Sequence, residues 1–167
     1  MSGTIRLLVM DVDGVLTDGS IVYDDEGRQI KRFNVRDGLG INVWLKLGRE
    51  AAVLSARRSE AVELRMAELG VTRVVQGARD KGEAIERLCT EAGIGLEETA
   101  FIGDDLPDLR AMRRVAYTMA PADAEARVRE AAAFVTTARG GRGCVREAIM
   151  HLLDREGLME RALSQYD

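Results

Sequence analysis

The sequence predicts an α/β protein built on a Rossmann-like parallel sheet with helices on both faces. Short aliphatic runs alternate with amphipathic stretches along almost all of the 167 residues, which is typical of repeated strand–helix–strand units. Parallel strands need a crossover of helical length between them, and the intervening stretches supply it. Hydrophobic residues make up 46% of the chain, enough to bury a core without disulfides. We therefore expect one domain over residues 1–167.

The predicted strands are short and rich in aliphatic residues. They lie at 5–10, 51–54, 71–75, 100–102, 116–119 and 134–136. The predicted helices place apolar residues three and four positions apart, and several start at Ser or Asp or stop at Gly. They lie at 37–47, 59–70, from 80 onward, 109–114, 122–132 and 145–155. The residues after the last helix, about 156–167, form the C-terminal tail.

A β-hairpin is predicted as an insertion over about 19–36, before the first helix. Two strand-like runs surround the turn at Glu26-Gly27, which is typical of a hairpin. A two-stranded hairpin is barely stable alone, so its apolar residues Ile21, Tyr23, Ile30 and Phe33 need a packing partner. They could pack on the core of their own chain. We favour a contact between copies of the chain, because a protruding hairpin leaves exposed edges.

The composition excludes several classes of partner. A net charge of −4 gives no reason to expect nucleic acid. The sequence lacks a signal peptide and any stretch of membrane-spanning length. The two cysteines, Cys89 and Cys144, lie far apart and fit a reducing compartment better than a disulfide or zinc site. We therefore expect a cytoplasmic protein without membrane or nucleic-acid partners.

Polar side chains follow the predicted strands at the points where the strands end. They are Asp11 and Asp13 after the first strand, Ser55 after the second, Lys81 at the start of the helix after the third, and Asp104 with Asp105 after the fourth. Each has an ordinary alternative, since aspartates also form turns and cap helices, and single serines and lysines often face solvent. The carboxyl ends of parallel strands share one edge of a sheet, so together these residues favour a functional site.

Phosphoryl transfer is the chemistry that suits this set. Asp11 and Asp104 offer the oxygen ligands that Mg²⁺ prefers, and the metal screens the phosphate from an attacking carboxylate. Asp11 can then attack phosphorus and form an aspartyl-phosphate. Asp13 can protonate the leaving oxygen and later take a proton from water. Ser55 and Lys81 can hold the phosphate oxygens, with the lysine opposing the charge of the transition state.

At these positions the sequence resembles the haloacid dehalogenase superfamily of phosphatases. The run DVDGVLT that starts at Asp11 resembles its first motif. Ser55, Lys81 and the run GDDLPD at 103–108 resemble the second, third and fourth motifs, in the same order. Four motifs in order span most of the chain, which makes the resemblance specific.

The resemblance implies a set of metal ligands. Mg²⁺ would be bound by the carboxylates of Asp11 and Asp104 and by the backbone carbonyl of Asp13. Asp105 and Asp108 would orient or support that site.

Three further stretches are similar to the capless branch of the superfamily, which contains 3-deoxy-D-manno-octulosonate 8-phosphate phosphatase. They are Asp18-Gly19 before the hairpin, the run NVRDG at 34–38 and the run GGRG at 140–143. This resemblance implies a homotetramer that associates through β-hairpins, in which neighbouring subunits help to cover each pocket. It also implies Mg²⁺-dependent hydrolysis of a small phosphorylated sugar acid in lipopolysaccharide precursor synthesis.

Three arginines are the expected substrate-binding residues. Arg57 lies where the octulosonate enzymes are expected to have arginine and the nonulosonate 9-phosphate enzymes glutamate, and a guanidinium can pair with the carboxylate of a sugar acid. The alternative for Arg57 is a solvated loop charge. Arg65 resembles a position that reaches a neighbour's pocket, and Arg142 is expected to cover the site from the C-terminal part of the chain.

One residue departs from the family pattern. Ala56 lies where the family usually has glycine, and alanine resists a positive φ. A different shape of this loop is expected to affect substrate specificity, through the position of Arg57, more than catalysis.

Two other functions remain open from sequence. The same fold could act on a nonulosonate 9-phosphate or another small phosphate. The chain could instead be a catalytically idle domain, similar to the one that tetramerises some nucleotide-sugar synthetases, although the complete set of motif residues argues against it.

Overall fold

The computed structural model describes residues 3–164 and 166, and it confirms the predicted fold class. The ends of the predicted domain and tail at 1–2, 165 and 167 lie outside the described residues. In chain order the strands are β1 Leu7–Met10, β2 Val22–Tyr23, β3 Gln29–Ile30, β4 Glu50–Ser55, β5 Arg73–Gln76, β6 Thr99–Ile102, β7 Tyr117–Ala120 and β8 Phe134–Val135.

Helices lie between the strands of the main sheet and after its last strand. Those of the described residues are α1 Val35–Lys46, α2 Glu60–Leu69, α3 Lys81–Ala92, α4 Leu109–Met112, α5 Ala126–Ala131, α6 Cys144–Arg155 and α7 Met159–Leu163. None of them combines the length and the apolar character that crossing a bilayer requires.

The main sheet has the strand order β5-β4-β1-β6-β7-β8, and all of its neighbouring strands pair in parallel. The chain builds outward from β1 through β4 to β5 and then returns to place β6 on the other side of β1. The boundary between β1 and β6 is therefore the point where the strand order reverses. In open α/β sheets, ligands bind outside the carboxyl ends of the strands at such a point.

The core lies in two layers, one on each face of the sheet. Leu8 and Met10 of β1 pack with α1, α2 and α6 on one face, whereas Leu7 and Val9 pack with α3, α4 and α5 on the other. Alternate side chains of a strand point to opposite faces, so an uninterrupted aliphatic run satisfies both layers.

Some local predictions differ from the structure. Helix α5 begins at Ala126, four residues later than predicted, and the Glu125 carboxylate caps it by accepting from the Arg127 amide at 2.7 Å. Ser59 precedes α2 as predicted, but its hydroxyl makes no capping bond. Helix α7 forms within the predicted C-terminal tail.

The hairpin is shorter than predicted, with two residues in each strand. Ile21, Tyr23 and Ile30 are 54%, 58% and 50% exposed, while Phe33 packs against the core. The alternative that these residues pack on the core of their own chain is therefore wrong for Ile21, Tyr23 and Ile30, and it holds for Phe33 only.

Candidate active site

The acidic residues meet at the point where the strand order reverses. Asp11 follows β1, Asp104 follows β6 after one glycine, and ligand oxygens of Asp11, Asp104 and Asp108 lie within 4.8 Å of one another. Gly14 makes room for them. It has a φ of +88°, and a Cβ there would lie 1.9 Å from the Asp104 carboxylate, so a side chain is excluded by both backbone and space.

Lys81 links the two sides of this acidic cluster. Its side chain is only 4% exposed, and its Nζ lies 2.8 Å from Asp11 Oδ2 and 2.5 Å from Asp108 Oδ1. Asp80 sets its position by capping α3, since its carboxylate accepts from the amides of Gly82 and Glu83. A buried ammonium needs such partners.

Asp108 acts as a support for its neighbours. One carboxylate oxygen accepts from Lys81, and the other accepts from the amides of Asp104 and Asp105 at 2.9 and 3.2 Å. Asp105 in turn caps the short turn Leu106–Asp108 by accepting from the Leu106 amide. Because both carboxylate oxygens of Asp108 accept hydrogen bonds, Asp108 holds the loop that carries Asp104 in place.

The electrostatics of the cluster favour protons or a cation. Burial raises the pKa of Asp11 to about 7, with the charge of Asp108 adding to the effect and Lys81 opposing it. Burial also raises the pKa of Asp104 to about 8, with the charge of Asp11 adding. For Lys81 burial disfavours the charge, but Asp11 and Asp108 outweigh it and raise the pKa.

The residues present fit a divalent cation. Three carboxylates face one ammonium, and Asp104 Oδ1 is buried without a hydrogen-bond partner among the described residues. An unsatisfied buried oxygen is costly unless something else binds it. Oxygen-only donors of this kind suit Mg²⁺.

A pocket of about 240 Å³ opens beside the acidic cluster. Asp13, Ser55, Arg57 and Asp105 also line it. Ser55 ends β4, is 3% exposed and accepts from the Arg57 amide at 3.2 Å, which leaves its hydroxyl proton free to donate. The structure thus brings the predicted polar residues of four strand ends to one pocket.

Arg57 and Lys31 both approach the Asp13 carboxylate. Arg57 Nε lies 3.9 Å from Asp13 Oδ2, with 43% of the Arg57 side chain exposed. Lys31 donates a hydrogen bond to Asp13 Oδ1. No sequence pattern indicates a role for Lys31, because a lysine beside a hairpin strand is usually solvated.

Two of the predicted substrate-binding arginines do not line this pocket of their own chain. Arg65 pairs with Glu68 at 3.1 Å and lies over Gly38. Arg142 is 60% exposed and lies 3.8 Å from Asp18. A role for Arg65 in a neighbouring subunit stays a prediction.

The loop that carries Arg57 is not strained by alanine. Among the described residues, positive φ occurs only at glycines, so Ala56 adopts a backbone conformation open to any L-residue.

The glycine-rich segment before α6 packs directly under the turn that carries Asp13. A Cβ on Gly140 would lie 1.9 Å from the Gly14 carbonyl oxygen, and the Gly141 amide donates to the Val15 carbonyl at 2.8 Å. Close backbone approach of this kind requires glycine. The segment therefore fixes the turn from below.

Asp37, a second residue that sequence reasoning missed, anchors that segment. Its carboxylate is 1% exposed and accepts from the amides of Gly143 and Arg146 at 3.2 and 2.9 Å. Burial raises its pKa, although these hydrogen bonds oppose the shift. The sequence predicts Asp37 at the start of a helix, but no local pattern indicates its contacts with residues more than 100 positions away.

Comparison with known proteins agrees with this geometry. The family model of haloacid dehalogenase-like hydrolases matches residues 52–147, more than half of the chain. The chain belongs to the haloacid dehalogenase-like hydrolases.

Two relatives of this hydrolase carry the same activity name. This chain is 42% identical to the 3-deoxy-D-manno-octulosonate 8-phosphate phosphatase KdsC of Escherichia coli K12 over 161 residues. The match covers 96% of this chain and 86% of the relative. The KdsC protein of Haemophilus influenzae is 41% identical over 153 residues, 92% of this chain and 85% of the relative.

Two solved structures are similar over nearly the whole chain. The phosphatase of this name from Moraxella catarrhalis, in complex with magnesium ion, phosphate ion and KDO, is 37% identical and has a TM-score of 0.94, covering 98% of this chain and 94% of that one. The cobalt-bound phosphatase from Haemophilus influenzae is 40% identical with a TM-score of 0.90, covering 93% and 91%.

The metal-free hydrolase should lose stability as the pH rises from about 4 toward about 8. An unfolded aspartate has a pKa of about 3.9, whereas that of folded Asp104 is about 8. Between these values the folded chain holds a proton that the unfolded chain has released, so a rising pH favours unfolding. Urea denaturation with a chelator, at about pH 6 and about pH 9, measures the free energy of unfolding.

Asp104→Asn is the matched control because it removes one titrating acid. Its free energy of unfolding should change less with pH, and Mg²⁺ should stabilise the wild type most at the higher pH, where the acids are ionised. An equal pH dependence in both proteins would contradict this account of the cluster.

Proposed function

We propose that this hydrolase is a Mg²⁺-dependent phosphatase that converts 3-deoxy-D-manno-octulosonate 8-phosphate to the free sugar acid and phosphate, in lipopolysaccharide precursor synthesis. One observation carries the proposal: Asp11 lies in contact with Lys81 beside Asp104, at a pocket that also presents Ser55 and Arg57. Similarity to phosphatases of this name over 96% of the chain supports the choice of substrate.

The residues proposed to hold Mg²⁺ are the carboxylates of Asp11 and Asp104 and the backbone carbonyl of Asp13. When bound, the ion offsets the repulsion between the carboxylates and the phosphate and polarises a phosphate oxygen. Asp108 keeps Lys81 and the loop of Asp104 in place.

The proposed reaction has two steps, both carried by side chains of this pocket. First an Asp11 oxygen forms a bond to phosphorus while the bond from phosphorus to the sugar oxygen breaks, and Asp13 gives that oxygen a proton. Water then attacks the aspartyl-phosphate, Asp13 takes a proton from it, and phosphate leaves Asp11. The Ser55 hydroxyl and the Lys81 ammonium hold the phosphate oxygens in both steps.

Arg57 is proposed to select the substrate. Its side chain is 43% exposed at the pocket, so the guanidinium can reach the carboxylate of a sugar acid and bind it in a bidentate manner. Arg65 of a neighbouring subunit and Arg142 are proposed to complete the binding surface.

We further propose a homotetramer that associates through the hairpins and works in the cytoplasm. Apolar residues of the hairpin are exposed, and so are Val35 and Leu39 of the helix that follows it, at 78% and 42%. Exposed apolar side chains of this kind can serve as an interaction surface when they are contiguous. The free, buried cysteines Cys89 and Cys144 fit a reducing compartment.

The function is tested by phosphate release from purified protein with Mg²⁺. The wild type should hydrolyse 3-deoxy-D-manno-octulosonate 8-phosphate with a higher kcat/KM than a nonulosonate 9-phosphate. Asp11→Asn should remove turnover, by at least about 10³-fold, because the neutral amide cannot attack phosphorus. Its thermal unfolding should stay close to the wild type.

Three outcomes would contradict the proposal. Turnover that persists in Asp11→Asn would overturn the nucleophile. A preference for the nine-carbon substrate would overturn the substrate choice. An inactive wild type would favour the idle, tetramerising domain.

The proposed assembly is tested by sedimentation velocity. Ile30→Asp places a charge on the apolar hairpin surface, so the tetramer should dissociate into smaller species. Leu163→Asp is the matched control, since Leu163 is 51% exposed but belongs to α7 and not to the hairpin. A monomeric wild type, or a tetrameric Ile30→Asp, would overturn the hairpin interface.

A further inference from the structure

Lys31 has a buried side chain at the base of an exposed hairpin. It follows Ile30, the last residue of β3, and its side chain is only 3% exposed, while Ile30 itself is 50% exposed. Lysine is almost never this buried without an ionic partner. The hairpin therefore sends one charged side chain inward while its apolar side chains face outward.

The partner of Lys31 is Asp13. The ammonium donates to Asp13 Oδ1, whereas Oδ2 faces Arg57 Nε at 3.9 Å on the pocket side. Within the described part of the chain, the bond from Lys31 is the one hydrogen bond to the Asp13 carboxylate. Asp13 lies in a turn next to Gly14, with no helix or strand to hold its side chain.

Each of the two proposed reacting acids therefore contacts the ammonium group of a different lysine. Lys81 contacts Asp11 from α3, and Lys31 contacts Asp13 from the hairpin. Asp11 also accepts from the Val12 amide at 2.7 Å, whereas the second partner of Asp13 among the described residues is the looser ion pair with Arg57 at 3.9 Å. The orientation of Asp13 depends on Lys31 more than that of Asp11 depends on any single residue.

We propose that Lys31 is a positioning residue for the phosphatase reaction. It occupies Oδ1 of Asp13 and so directs Oδ2 toward the pocket, where Asp13 must meet the leaving oxygen of the sugar phosphate. The inference rests on the proposed function and extends it to the hairpin, which supplies a group to the active site of its own chain.

A purely structural ion pair is the competing explanation. In that case Lys31 only fastens the hairpin to the turn, and its loss lowers stability and affects all substrates alike. A positioning role has a different signature, because proton donation matters for an alkoxide leaving group and little for p-nitrophenolate, which leaves without it.

The experiment compares kcat/KM of Lys31→Met on two esters, 3-deoxy-D-manno-octulosonate 8-phosphate and p-nitrophenyl phosphate. This constant reports the steps up to release of the leaving group. We expect a loss of roughly 10- to 100-fold on the sugar phosphate and of less than about 3-fold on the aryl phosphate. Lys31→Arg should restore most of the loss, because a guanidinium can still donate to Asp13 Oδ1.

Arg32→Met is the matched control, since Arg32 is the next basic residue along the chain but is exposed. It should leave both constants unchanged. Thermal unfolding and sedimentation show whether each variant folds and assembles. Should Lys31→Met fail to fold, Lys31→Gln, which keeps a donor of nearly the same reach without the charge, is measured on the same two esters.

Equal losses on both esters, or no loss at all, would overturn the inference while the proposed function stands. A failure of Lys31→Arg to restore sugar-phosphate turnover would overturn it as well. A wild type that hydrolyses neither ester would overturn the proposed function, and the inference with it.

Discussion

The ammonium group of Lys81 lies between two buried carboxylates that would otherwise repel each other. Through Asp11 it contacts the end of β1, and through Asp108 it reaches the loop after β6. Removing the Lys81 ammonium would cost several kcal/mol, about 3–5, because both carboxylates would be left without their partner. The cluster therefore forms as a unit at the point where the strand order reverses. One ammonium group does not neutralise three carboxylates, and a divalent cation can balance the negative charge that remains.

Much of this arrangement could be predicted from sequence, because it depends on local patterns and one topological rule. The aliphatic run at 5–10 indicates a strand that is buried on both faces. Asp11, Ser55 and Asp104 follow such strands directly, and the carboxyl ends of parallel strands meet at one edge. The motif resemblance then indicated which chemistry to expect there.

The remaining features depend on contacts that no local pattern encodes. Asp37 and Gly140 act on the turn at Asp13 through packing across more than 100 positions, and Lys31 acts through the way the hairpin docks. The late start of α5 follows from a capping carboxylate that competes with helix propensity. Arg65 pairs with Glu68 outside the pocket, and its role in a neighbouring subunit stays a prediction. Sequence therefore predicted which side chains meet at the pocket better than it predicted the contacts that hold them there.

The most direct test of the central claim is a crystal structure with Mn²⁺ in place of Mg²⁺, with the ion located by its anomalous scattering. One strong peak should lie between the carboxylates of Asp11 and Asp104, next to the Asp13 carbonyl, while Lys81 stays paired with Asp108. A peak elsewhere, or no peak while Lys81 fills the space between the acids, would contradict it.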